Sequence, residues 1–304
     1  MKYYNDMREM IGHTPLLKLN HMGFAPGRNV FAKLELFNPG GSVKDRMGTA
    51  LVQDAEERGV LKPGYTILEA TAGNAGIGIA LAALGKGYRV IFAVPEKFSE
   101  EKQTIMRAYG AEIVHTPREK GMQGAMEKVE ELKKQVDHPV TLSQFENPAN
   151  PRAHYRATGP EIFDDLEGQV DYLVAGAGSG GTLSGIAKFL KEKKPDVKVI
   201  MADPIGSTMG GGEPGCYSIE GIGNTFMPGT MDMKLVDDIY KIRDEEAVEE
   251  LRLLAAKEGV LAGTSSGAAL SAARKAALKA PEGSNLVAVL PDRGDRYFSK
   301  HIYE

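Results

Sequence analysis

Short runs rich in Val and Ile alternate along this chain with helix-length segments whose apolar residues recur at a period near 3.6. Residues 65–70, 89–94, 112–115, 140–143, 172–175, 197–202, 239–242 and 286–290 read as strands. Between strands, Val43, Met47, Ala50, Leu51 and Ala55 share one helical face, and the segment 75–84 is apolar nearly all round, so it is expected to be buried. Such alternation requires right-handed crossovers, and hence mainly parallel sheets covered on both faces. The expected class is α/β with doubly wound sheets. Asn38-Pro39-Gly40-Gly41 and Asn147-Pro148-Ala149-Asn150-Pro151 interrupt the pattern. They divide it into a smaller unit, 42–146, inserted between 1–41 and 147–304 of a larger one.

Composition removes several function classes. The 304 residues are 42% apolar with a net charge of −4, which offers no basic footprint for nucleic acid and no polybasic face for a membrane. No apolar stretch approaches the ~20 residues of a membrane span, and the N-terminus lacks a secretory pattern. Cys216 is the single cysteine, so an intrachain disulfide is impossible. The six histidines show no paired ligand spacing, so no metal site is expected. These features describe a cytoplasmic protein.

Three glycine-rich turns carry the chemistry. In Asn38–Arg46, Ser42 and Asp45 have capping-box spacing, which sets Lys44 in the first turn of a helix. Unpaired amides there disfavour an ammonium and favour a neutral, nucleophilic amine. The same residues also describe an ordinary capped helix with a solvated lysine. The turn Glu69–Gly78 follows a strand and opens the apolar helix, where backbone N–H groups can hold a carboxylate; Asn74 is either a functional amide or a plain N-cap. The turn Gly176–Thr182 lies between a strand and a helix, and its glycines and hydroxyls form a phosphate cradle. Gly176, Gly178 and Gly181 also satisfy G-x-G-x-x-G, with Asp203 about 20 residues on, as a nicotinamide dinucleotide site requires. That alternative leaves Lys44 and the other turns without a role. Gly85-Lys86-Gly87 does not complete a nucleoside-triphosphate loop.

In this order, and over nearly the whole chain from Ile11-Gly12-His13-Thr14-Pro15-Leu16 to Asp292–Tyr297, the turns resemble the cysteine synthase and cystathionine β-synthase family of fold-type II, tryptophan synthase β-like, pyridoxal-phosphate enzymes. The resemblance implies that Lys44 carries pyridoxal 5′-phosphate and that Asn74 hydrogen-bonds its 3′ oxygen. Gly178, Ser179, Gly180, Gly181 and Thr182 would hold its phosphate. Thr71, Ala72, Gly73 and Asn74, with Gln144 beside them, would grip the substrate carboxylate. Ser266 matches a family serine near the ring nitrogen; a second family serine, after Leu-Pro, is replaced here by Asp292-Arg293. Ala72 stands where cysteine synthases usually carry serine. With Glu220–Pro228, it makes the chain more similar to the bacterial O-acetylserine-dependent cystathionine β-synthases. Ala75 stands where both groups usually have threonine, at the cost of one hydroxyl toward the carboxylate.

The implied reaction is β-replacement on O-acetylserine or serine. Lys44 acts as general base at Cα, and homocysteine or sulfide adds at the β carbon. The implied assembly is a homodimer. The alternatives are a sulfide-only cysteine synthase, a serine or threonine dehydratase, a nicotinamide dehydrogenase built on Gly176–Gly181, or a cofactor-binding regulatory scaffold.

Overall fold

The computed structural model describes the whole chain except Lys2, Ala72, Lys97 and Phe98. The strands are β1 (Leu16–Lys18), β2 (Asn29–Leu34), β3 (Thr66–Ala70), β4 (Arg89–Pro95), β5 (Glu112–Thr116), β6 (Pro139–Val140), β7 (Tyr172–Gly176), β8 (Lys198–Pro204), β9 (Asp238–Ile242) and β10 (Asn285–Leu290). The helices are α1 (Lys44–Glu57), α2 (Asn74–Ala83), α3 (Glu100–Ala108), α4 (Gly121–Leu132), α5 (Ala149–Ala153), α6 (Gly159–Asp165), α7 (Gly181–Lys193), α8 (Asp244–Glu258) and α9 (Thr264–Ala277). Among the described residues no helix is long and apolar enough to cross a membrane.

Two sheets result. The larger has the order β1-β2-β10-β7-β8-β9, parallel except for β1; the smaller has the order β5-β4-β3-β6 and is wholly parallel. Both are covered on two faces, as doubly wound sheets must be. In β10, Leu286, Ala288 and Leu290 enter one core while Val287 and Val289 enter the other. In β3, Ile67 and Leu68 divide in the same way. The alternation of side chains along a strand is what lets a single run feed two cores.

Two strands escape the periodicity. β2 contains Lys33, a charge that argues against a buried strand, yet Lys33 is fully enclosed and its ammonium meets Thr14 O at 2.6 Å and Glu161 at 3.0 Å. β1 is only three residues long. The strand expected over 140–143 stops at Val140. The buried Glu69 carboxylate accepts the N–H groups of Leu142 and Ser143 in place of a ladder, and Ser143 takes a left-handed φ of 55°.

α2 is buried all round, as its composition requires. It crosses α1 at Gly48 and Gly78: a Cβ on Gly48 would meet the Gly78 backbone, and one on Gly78 would meet the Lys44 carbonyl. Only glycine allows the two backbones to approach this closely. The contact locks together the two helices whose N-termini open the functional cavity.

Candidate active site

Parallel α/β sheets leave their ligand crevice at the C-terminal ends of the strands. Here the cavity is lined by Lys44, Asn74, Ala175, Gly176, Gly178, Ser179, Gly180, Thr182, Glu220–Ile222, Ser265, Pro291 and Asp292. Backbone pairing assembles its floor. Val43 N–H bonds Pro291 O at 2.8 Å, Arg293 N–H bonds Gly41 O at 3.2 Å, and Gly263 N–H bonds Asp292 O at 3.0 Å. Three distant segments are thereby stitched side by side.

Lys44 is the first residue of α1, as the sequence required, but the capping box does not form. Ser42 Oγ accepts from Lys44 N at 3.2 Å, whereas the Asp45 carboxylate turns back to Gly40 N–H at 2.5 Å. Burial pushes Asp45 up to about 7, opposed by that N–H and by Arg296. The protein around Lys44 pushes its ammonium down to about 8 even though the side chain keeps some exposure to the cavity; the Asp292 charge opposes this. Desolvation thus does what the helix end was expected to do.

At the other end, the turn after β7 runs into α7 with Gly180 at φ 81°. A Cβ on Gly178 would meet Gly221 O, one on Gly180 would meet Met231, and one on Gly181 would meet the Asn150 side chain. The turn is therefore packed to the limit of its glycines, with the α7 amides at the cavity. Its hydroxyls are positioned from behind. Asn150 Nδ2 bonds Ser179 Oγ at 2.9 Å and Gln144 O at 2.8 Å, tying the turn to the segment beside it. Thr182 Oγ1 lies 3.1 Å from Nε2 of His154, which burial holds neutral by pushing it down to about 3. A glycine turn with two hydroxyls and no carboxylate of its own fits a phosphate, since the neighbouring Glu220 is paired with Lys102 and Lys300, and a lysine across the cavity fits an aldehyde.

Asn74 lies between these ends. Its Nδ2 bonds Asp292 Oδ2 at 2.7 Å, and its Oδ1 accepts from Arg296 at 2.6 Å. Tyr297 OH bonds the same Asp292 oxygen at 2.6 Å, while Asp292 Oδ1 is buried without a partner among the described residues. Thr71 Oγ1 accepts Gly76 N–H at 3.1 Å inside the α2 turn. Thr71, Gly73 and Ala75 flank Asn74 in the chain, Gln144 is buried with its carbonyl accepting from Asn150, and none of these four is among the residues lining the cavity; Ala72 lies outside the described residues.

One expected residue is corrected. Ser265, not Ser266, lines the cavity; Ser266 is fully buried and its Oγ has no partner among the described residues. Consecutive residues on α9 point about 100° apart, so only one serine of the pair can face inward. The sequence also left Asp292, Arg296, Tyr297, Asn150 and His154 without side-chain roles. The available signal was a dense charge cluster directly after the apolar run 286–290, at the strand end where parallel sheets bind ligands.

The dinucleotide alternative fails on its acid. Asp203 is buried, and its carboxylate already holds Lys241 at 2.7 Å and Gly210 N–H at 2.9 Å. Two doubly wound sheets that set a desolvated lysine opposite a glycine phosphate cradle define a fold-type II pyridoxal-phosphate enzyme. The chain belongs to the family of pyridoxal-phosphate dependent enzymes, which its residues 7–292 match. It is 51% identical to the O-acetylserine dependent cystathionine β-synthase of Bacillus subtilis, over 100% of this chain and 99% of that one. It is 43% identical to the cysteine synthase of Staphylococcus aureus, over 99% and 98%. The crystal structure of the O-acetylserine dependent cystathionine β-synthase from Helicobacter pylori superimposes with a TM-score of 0.95, at 45% identity and full coverage of both chains.

Proposed function

We propose that this enzyme catalyses β-replacement on O-acetylserine, joining homocysteine to give cystathionine and accepting sulfide to give cysteine. The observation that carries this reading is Lys44, poised with a lowered pKa on a cavity whose far wall is the phosphate turn. When bound, pyridoxal phosphate supplies the electron sink for charge developing at the substrate Cα. The α7 amides, Ser179 and Thr182 would hold its phosphate, and Asn74 and Ser265, which line the same cavity, would contact its ring. Lys44 Nζ, when neutral, is the group placed to take the substrate Cα proton and to return it. The α2 N-terminus, together with Thr71, Gly73 and Gln144, would hold the substrate carboxylate. Residues 42–146 form a unit that closes on this grip, because the gripping turn belongs to it.

Homocysteine is favoured over sulfide as the principal nucleophile because the cystathionine β-synthase relative is more similar than the cysteine synthase one. A homodimer is the inferred working form, supported by the exposed Tyr3, Tyr4, Met7 and Met10 on the N-terminal segment, and the cytoplasm is the inferred compartment.

The test is the purified protein's visible absorption, its loss on borohydride reduction with mass added at Lys44, and product analysis with O-acetylserine plus either thiol. A serine or threonine dehydratase would instead release a keto acid without needing a thiol. That outcome would overturn the replacement chemistry.

A further inference from the structure

An asparagine facing a cofactor can present either its N–H or its carbonyl, and the two choices have opposite electrostatic consequences. At Asn74 the choice is already made by the protein. A carboxylate can only accept and a guanidinium can only donate. With Asp292 on one end of the amide and Arg296 on the other, at 2.7 and 2.6 Å, rotation by 180° would set donor against donor and acceptor against acceptor. The NH2 group carries two protons and spends one on Asp292, so the second remains for the cavity that Asn74 lines.

Both clamping residues are themselves held. Asp292 is buried, its backbone lies between those of Ser42 and Gly263, and its carboxylate also takes the Tyr297 hydroxyl at 2.6 Å. Arg296 is buried and also bonds the Gly40 carbonyl, four residues before Lys44. One arginine thus touches the lysine turn and the α2 N-terminus together. The pair lies in the C-terminal segment, far in sequence from the residue it orients.

We propose that Asp292 and Arg296 are positioning residues that fix the Asn74 amide with an N–H toward the cavity, so that the cofactor's ring oxygen meets a donor and is held in its anionic form. This inference rests on the pyridoxal-phosphate reading above.

The test is a double-mutant cycle on cofactor binding, with Arg296→Met, Asn74→Ala and the double variant, read by titrating each apo-protein with pyridoxal phosphate. A second readout is the balance between the longer- and shorter-wavelength cofactor bands, which report the anionic and protonated ring oxygen. Arg296→Met alone should weaken binding roughly tenfold, on the scale of a lost charge-assisted hydrogen bond, and shift absorbance toward the protonated form. In the Asn74→Ala background it should change binding less than about twofold, because no amide remains to orient. Arg296→Lys, which keeps a donor, should restore most of the spectrum, and Asp292→Asn supplies a near-isosteric variant should Arg296→Met fail to fold. Full additivity of the two losses, or an Arg296→Met spectrum identical to wild type, would overturn the proposal. A wild-type protein that showed no visible band reducible onto Lys44 would instead overturn the cofactor reading beneath it.

Discussion

At the phosphate end of the cavity, β7, the glycine turn and α7 form one unbroken stretch of chain. At the ring end, Lys44, Asn74, Ser265, Asp292 and Arg296 arrive from four separate segments. The first end needs only local geometry: a strand, a turn that glycine alone can adopt, and a helix N-terminus. The second exists only when the Gly48–Gly78 crossing and the backbone pairing of residues 41–43, 261–263 and 291–293 are both in place. On the proposed reading, the glycine-turn end holds the ligand and the other end aligns groups on it.

The comparison breaks most visibly at Lys44. Lys44→Ala should lose turnover by at least about a thousandfold and lose covalent cofactor, yet retain phosphate-end affinity for pyridoxal phosphate. Mass spectrometry after borohydride treatment and a titration of the variant separate the two ends. Gly178→Ala attacks the other end, forcing a Cβ against the Gly221 carbonyl. Cofactor affinity and thermal stability should fall together, the latter by about 1–3 kcal/mol of overpacking. Gly180→Leu should behave likewise rather than affecting cofactor alone, since Gly180 has φ 81° and abuts Met231.

Acidity sharpens the ring end. The Lys44 pKa is lowered to about 8 from 10.5, so between those values the folded apo-protein binds fewer protons than the unfolded chain. Lys44 should consequently contribute stability that rises with pH across that window, and urea titrations should show this increment lost in Lys44→Met, while the tyrosines raised by burial contribute in the opposite sense in both forms. Cofactor attachment to the apo-protein, which needs the neutral amine, should accelerate up to about pH 8 and then level off.

The paired serines give a smaller contrast. Ser265→Ala should alter the cofactor spectrum, whereas Ser266→Ala removes a buried hydroxyl without a partner and should leave the spectrum unchanged while stabilising the fold by up to about 1 kcal/mol. The opposite pattern in paired spectra and melting curves would return the ring contact to Ser266. Smallest is Ala75→Thr, in the first turn of α2, where a hydroxyl that reaches the substrate carboxylate should lower KM for O-acetylserine by about two- to fivefold at most. Unchanged steady-state kinetics would show that the α2 amides already satisfy that carboxylate.

By itself the sequence determined whatever one stretch of chain decides: the two-core strand pattern, the buried α2, Lys44 at the start of its helix, and the glycine turn between β7 and α7. It misplaced the strand at 140–143, because Glu69 reaches across 73 residues to take the backbone groups that a ladder would have used. It passed over β2, because the partners that make Lys33 tolerable in a core lie in distant segments. Two adjacent serines on α9 are equivalent in a sequence, and only the helix's rotation against the sheet turns Ser265 into the cavity. The Asp292–Asn74–Arg296 clamp is likewise a tertiary fact. Side-chain hydrogen bonds depend on distances in space, and periodicity carries no information about which remote segment will supply the partner.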